Sequence, residues 1–198
     1  FYDMDANGYR TRATSGAIAY GNGSSFSITG NTTISFLGAV DAESGSPEGM
    51  GVVGSNTNRG LPVGLSVDSY DPAAFGQVGK VGLGDIDISE DGKFLFVMNL
   101  YSRKVFRLEL DNAYNPTSVI NVTSYAIPAV TANLGEFRCF GLGYHRGKLY
   151  VGGVTTGENG GSNIVGGATD LYAYVYALNN PTGSASFNSS PEITYPLN

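Results

Sequence analysis

Tryptophan is absent, cysteine and histidine occur once each, and charged side chains make up only 14% of the chain. Each scarcity excludes a kind of chemistry. A lone Cys139 forms no intrachain disulfide and no thiolate metal cluster; inside "FRCFGLGY" it reads as a small buried residue with no base nearby to activate it. A lone His145 rules out a paired-histidine metal site, and its place in the short "YHRGK" turn makes it a turn residue, poorly set for a Ser-His-Asp relay. The sequence has no G-x-S-x-G elbow, and the glycine-rich "GENGGSNIVGG" lacks the Lys-Ser/Thr ending of a phosphate-cradling loop. No apolar run approaches about 18 residues, so no membrane span is expected. Basic residues are outnumbered, 11 to 17, and form no stripe of the kind that neutralises a phosphate backbone, so nucleic acid is not an expected partner.

What is abundant points one way. The 198 residues include 29 glycines, many Ser, Thr and Asn, and 41% apolar residues, a mixture that favours tight turns and extended strands over solvated helices. An all-β fold is expected. The chain opens at Phe1 in mid-pattern, with neither an initiator Met nor a signal-like segment, and we expect a longer natural polypeptide. Sequons at Asn22, Asn31, Asn121 and Asn188 matter only in a glycosylating host.

The stretch "GDIDISEDGKFLFVMNLYSRKVFRLEL" alternates Ile86 and Ile88 with Asp85 and Asp87, turns at an Asp-Gly pair, and continues through two further strands. "SVINVTSYAI" supplies a fourth. From residue 137 the pattern returns: "FRCFGLGYHRGKLYVGGVTT" forms a hairpin in which Gly147-Lys148 stands where Gly92-Lys93 stood, and "DLYAYVYALNN" and "EITYPLN" complete a second set. Earlier, "SGAIAYGN" and "NTTISFLGAV" match only the last two strands of the unit. Four-stranded meanders repeated at about 50 residues are the signature of β-propeller blades. The expected organisation is a partial blade over 1–40, a long inter-blade loop over 41–80, a complete blade over 81–128, and a complete blade over 129–198 with an insertion at 155–170. Within the long loop, "DPAAFGQVG" begins like a short helix, capped by Asp71 with Pro72 at its first position.

The run "QVGKVGLGDIDISEDGKFLFVMNLYSRKVFRLEL", with "GKLYVGG" and "AYVYALN", resembles the propeller region of large bacterial secreted or cell-surface proteins, often multidomain and carrying Sdr-type B-repeat modules. More distantly it is similar to lactonase-like seven-bladed propellers. The resemblance covers residues 70–180 and implies an extracellular or cell-surface location; its hairpin motif specifies fold far better than activity. Two and a half blades do not close a ring of roughly four to eight. The remaining blades are therefore expected from the same longer polypeptide or from neighbouring subunits.

Four residue groups carry candidate chemistry. "DMDANG" places Asp3, Asp5 and Asn7 like the start of a calcium loop, but its twelfth position is Thr14 instead of a bidentate Glu; it reads as a reduced calcium site or an ordinary polar turn. Asp85 and Asp87 share one face of an inner strand, where they either hold a metal or act as acid and base, or accept backbone amides. Arg138, at the mouth of the next blade, is placed to pair with one of them. Tyr172, Tyr174 and Tyr176 line one face of "LYAYVYAL", either as an exposed protein- or sugar-binding strip or packed on a neighbouring blade.

Up-and-down connectivity sorts the loops: short turns fall at one end of the blades, and the segments 41–80, 128–137 and 155–170 at the other, where binding is expected. These features support a non-enzymatic scaffold acting in adhesion or assembly, with a surface protein or a glycan as contact. Two rival readings are a lactonase-like hydrolase with a divalent ion on inner-strand carboxylates, and a carbohydrate-binding module.

Overall fold

The computed structural model describes residues 79–80, 82–128, 130, 135–157 and 170–197 in full, and the backbone alone of residues 2–4, 10–12, 17–20, 32–35, 158–159 and 163–164. The protein is all-β: among the described residues every regular element is a strand, and none is a helix able to cross a membrane. Two short antiparallel hairpins come first. β1 (Tyr2–Met4) pairs β2 (Arg10–Arg12), and β3 (Ala17–Tyr20) pairs β4 (Thr32–Ser35). The helix expected over 71–79 lies outside the described residues except for Gly79, a turn residue.

The first large sheet is a four-stranded meander of β5 (Leu83–Ile88), β6 (Phe94–Asn99), β7 (Lys104–Leu110) and β8 (Val119–Ala126), hydrogen-bonded in chain order. Period-two alternation explains its two faces. Phe96 and Met98 of β6 and Val105 of β7 point to one side, and Val97, Phe106 and Leu108 to the other; all six are fully buried. The turn from β5 to β6 is built by Ser89 and Asp91: Asp91 Oδ1 accepts the Ser89 hydroxyl and the Lys93 amide, and Ser89 Oγ accepts the Phe94 amide. Those bonds hold the Asp91 carboxyl below its ordinary value, the Ser89 hydroxyl most of all.

The second sheet begins with β9 (Phe137–His145) and β10 (Lys148–Thr155), followed by the two-residue strands β11 (Glu158–Asn159) and β12 (Asn163–Ile164), which pair with each other. It continues with β13 (Tyr172–Asn179), whose outer side is shared by β14 (Ser186–Phe187) and β15 (Ile193–Pro196). Five strands therefore stand where four were expected, because the "FNSSP" segment divides the outermost position into two short pieces.

The β9–β10 turn also differs from its counterpart. Arg146 and Gly147 both adopt positive φ, 48° and 76°, which is the two-residue type I′ turn whose twist suits a hairpin. The first sheet uses the longer Ser89–Phe94 turn, closed by a Ser89 N to Phe94 O bond of 2.9 Å. The two Gly-Lys pairs therefore close turns of different length, although Gly92 and Gly147 both adopt positive φ. Near the far end of the hairpin a bulge falls between Gly152 and Gly153. A Cβ on Gly153 would lie 2.6 Å from both the Arg138 carbonyl oxygen and the Phe137 ring, so that position admits only glycine.

The sheets stack face to face. Phe96, Met98, Leu100 and Val105 of the first meet Leu149, Val151, Tyr176 and Leu178 of the second in one cluster. Phe96 stacks on Tyr144 with ring centroids 5.7 Å apart. Burying each such side chain contributes about 1.5–3 kcal/mol. The edge strands β5 and β9 lie side by side.

Candidate functional site

Every antiparallel edge strand leaves alternate amides without a ladder partner, and a buried unpaired amide costs about 1–3 kcal/mol. At the β5–β9 junction two such edges meet and are joined through carboxylates. Asp85 Oδ1 accepts the Ile86 amide of its own strand at 2.9 Å, and its Oδ2 accepts the Leu142 amide of β9 at 3.0 Å. Asp87 repeats the arrangement one step along, with Ile88 at 2.8 Å and Tyr144 at 2.5 Å. Glu90 extends the row into the turn, where its Oε1 accepts the Arg146 amide at 3.1 Å. The spacing of acids at 85 and 87 matches that of amides at 142 and 144 because both strands have a period of two.

The pairing register explains why the aspartates reach across. Asp87 lies opposite Phe96, so it shares the face that packs on the second sheet. Leu142 and Tyr144 lie opposite Val151 and Leu149, so on β9 the same face carries apolar side chains while the edge offers amides. Gly141 and Gly143 precede those two amides as Asp85 and Asp87 precede Ile86 and Ile88. The row of acids therefore occurs once in these two sheets and runs from the first into the second.

Arg138 is not paired with either aspartate. Its guanidinium bonds Glu136, which also lies 4.0 Å from Arg103 Nη1, and its Nε is buried without a hydrogen-bond partner. A different arginine, Arg107, spans the two sheets, and nothing in the sequence singled it out. Its Nη1 donates to the carbonyls of Pro181 and Gly183 at 3.0 and 2.9 Å, in the connection between β13 and β14. Its Nη2 donates to Thr123 Oγ1 at 3.2 Å, and the planar group lies 5.4 Å from the Phe94 ring centre and 5.8 Å from that of Tyr125. Those stacked rings are a retrospective signal: Phe94 and Tyr125 share Arg107's face.

The tyrosine row faces inward. Tyr176 is buried, Tyr174 meets Phe137 edge-on at 5.6 Å, and Tyr172 lies 6.0 Å from Tyr174, all on the side of β13 that carries Leu178. They do not form an exposed binding strip; the packed reading is the one that fits. Burial raises the phenol groups of Tyr174 and Tyr176. His145 ends β9 and is exposed.

Asp3 falls on β1, described as backbone only, and Asp5 and Asn7 lie outside the described residues. Among the described residues no group of three or more His, Cys, Asp or Glu side chains is placed to hold a metal ion. Of the long segments, 41–80 lies outside the described residues apart from Gly79 and Lys80, and 155–170 contains the β11–β12 hairpin. No protein-family model matches the chain, and no curated protein matches it.

Proposed function

We propose that the two stacked sheets are consecutive blades of a β-propeller and that the protein is a non-enzymatic scaffold of an extracellular or cell-surface assembly. The further blades of the ring come from the same longer polypeptide or from neighbouring subunits. The observation that carries this reading is the acid row at the β5–β9 junction, with Asp85 and Asp87 each accepting one amide from either sheet. That arrangement suits inner strands set side by side around an axis, and it commits both oxygens of each carboxylate to structure. Acids so engaged are poor candidates for a metal centre or for proton transfer. Contact with a surface protein or a glycan falls to the loop end that carries the 155–170 segment, which includes the β11–β12 hairpin.

The test combines metal analysis, activity and stability on the purified chain. Asp85→Asn, which sets an amide donor against a backbone donor, is expected to lower stability by about 1–3 kcal/mol. The wild-type chain, dialysed against calcium, manganese or zinc, is expected to retain no stoichiometric ion at these acids and to hydrolyse no lactone or ester. An ion retained in a one-to-one ratio and lost together with hydrolysis in Asp85→Asn would overturn the scaffold reading in favour of a metal-dependent propeller hydrolase.

A further inference from the structure

The two large sheets end differently on their outer sides. On the second sheet the outermost position is divided between β14 and β15, and the stretch from Ser186 to Leu197 carries Pro191, Glu192 and Pro196. Short strands, prolines and charge are the devices by which natural sheets keep an edge from pairing. The first sheet lacks them. Its outer strand β8 runs unbroken for 8 residues, "VINVTSYA", with no proline, glycine or charge, and its one irregularity, a bulge opposite the Glu109–Leu110 step, lies at its start. Register, together with the Ile127 amide bond to the Arg103 carbonyl, turns the main chain of Asn121, Thr123 and Tyr125 towards β7, so that the amides and carbonyls of Val122, Ser124 and Ala126 point away from the sheet. Among the described residues no strand pairs with that edge, and no residue of β8 is buried.

We infer that β8 pairs antiparallel with β8 of a second copy of the chain, closing a two-fold dimer whose axis passes beside Ser124. The edge specifies its occupant: an extended segment without charge or proline, rich in branched side chains, with free main-chain groups of its own. β8 meets that description, and the outer edge of the second sheet does not. A strand paired with its own copy is self-complementary under a two-fold axis and consumes the edge on both chains, so the assembly stops at the dimer. With Ser124 opposite Ser124 at the axis, Val122 of each copy lies opposite Ala126 of the other, and these pairs supply about six main-chain hydrogen bonds at two per pair. On the other face Thr123 of each copy meets Tyr125 of the other, a branched side chain against an aromatic one. No like charges are set against each other along the strands, which matters for copies of net charge −6. Few side chains are buried, and the dimer is accordingly concentration-dependent. β8 is an outer strand whether or not the two sheets belong to a ring.

Sedimentation of the full chain over a range of concentrations tests it, with hydrogen exchange read residue by residue. The mass is expected to rise from that of one chain to that of two, and over the same range the amides of Val122, Ser124 and Ala126 gain protection, whereas those of Thr123 and Tyr125 are protected throughout. Ser124→Lys and Ser124→Glu each set like charges together at the axis and are expected to remain monomeric; mixed in equal amounts they recover the dimer. Ile193→Lys, on the second sheet and 55% exposed, is expected to leave the dimer intact. A chain that stays monomeric at every concentration overturns the inference, as does a mass beyond that of two chains, a dimer that forms without protecting those three amides, a dimer of Ser124→Lys alone, or a mixture of the two Ser124 variants that remains monomeric. Should either variant fail to fold, the exchange pattern of the wild-type chain decides.

Discussion

Two single residues behave in ways their neighbours dictate. Cys139 is 3% exposed within the shared core, and burial pushes its thiol up to about 12 despite the opposing influence of Arg103 and Arg138. Only the thiolate is nucleophilic, so the folded protein is expected to leave an aromatic disulfide reagent untouched at pH 8 and to react fully once denatured. Rapid labelling of the native chain would contradict the described core. Asp111 is the opposite case, an exposed carboxylate that accepts the Thr117 amide at 2.9 Å together with the Thr117 and Ser118 hydroxyls. Those bonds, the Thr117 hydroxyl first, hold it far below its ordinary value of 3.8. A depressed carboxyl stabilises the fold above that ordinary value and ceases to do so as the pH falls towards its folded-state value. Asp111→Asn is therefore expected to be less stable than the wild type at neutral pH and to converge with it between about pH 4 and pH 2 in denaturant titrations. Parallel curves over that range would show that the turn does not depend on the charge.

Between elements, the decisive contacts are polar groups at strand edges and turns. Arg107 fastens β7 to the β13–β14 connection through a fork of donors that only a guanidinium supplies. Arg107→Ala removes both carbonyl partners and the ring contacts, and is expected to cost about 2–4 kcal/mol; Arg107→Lys, with one compact charge, should recover less than half. Equal stability of the lysine variant and wild type would mean that charge alone is at work. The strands themselves were legible because alternation in "GDIDIS" and "KVFRLEL" is a local property of the chain. Which face each residue occupies was not, since that depends on turn type: the type I′ turn at Arg146-Gly147 is tighter than the Ser89–Phe94 turn, and a one-residue slip inverts every side chain. Asp85 and Asp87 were identifiable as a same-face pair, but their partners at Leu142 and Tyr144 belong to another sheet and follow only from how the sheets stack. The tyrosine row was equally ambiguous, because alternation in "LYAYVYAL" separates two faces without revealing which one meets Phe137.

Taken as a whole, the two sheets share one apolar layer, and neither face of that layer can be hidden from water by its own sheet alone. A single twisted sheet with an open apolar face is marginal in water, so the pair should unfold as a unit. The consequence is measurable by hydrogen exchange. Leu149→Ala empties a fully buried site on β10 and is expected to cost about 2–5 kcal/mol. If the sheets are one cooperative unit, the variant lowers the protection of β6 amides in the first sheet by the same free energy as that of β10 amides in the second, because both open only through global unfolding. If β10 protection falls while β6 protection is unchanged, the sheets are separate units, and the contacts of Phe96 with Tyr144 and of Asp87 with the Tyr144 amide contribute little to holding them together. Equal losses would instead make the acid row and the apolar layer two parts of one interface, the first satisfying edge amides that the second would otherwise leave buried and unpaired.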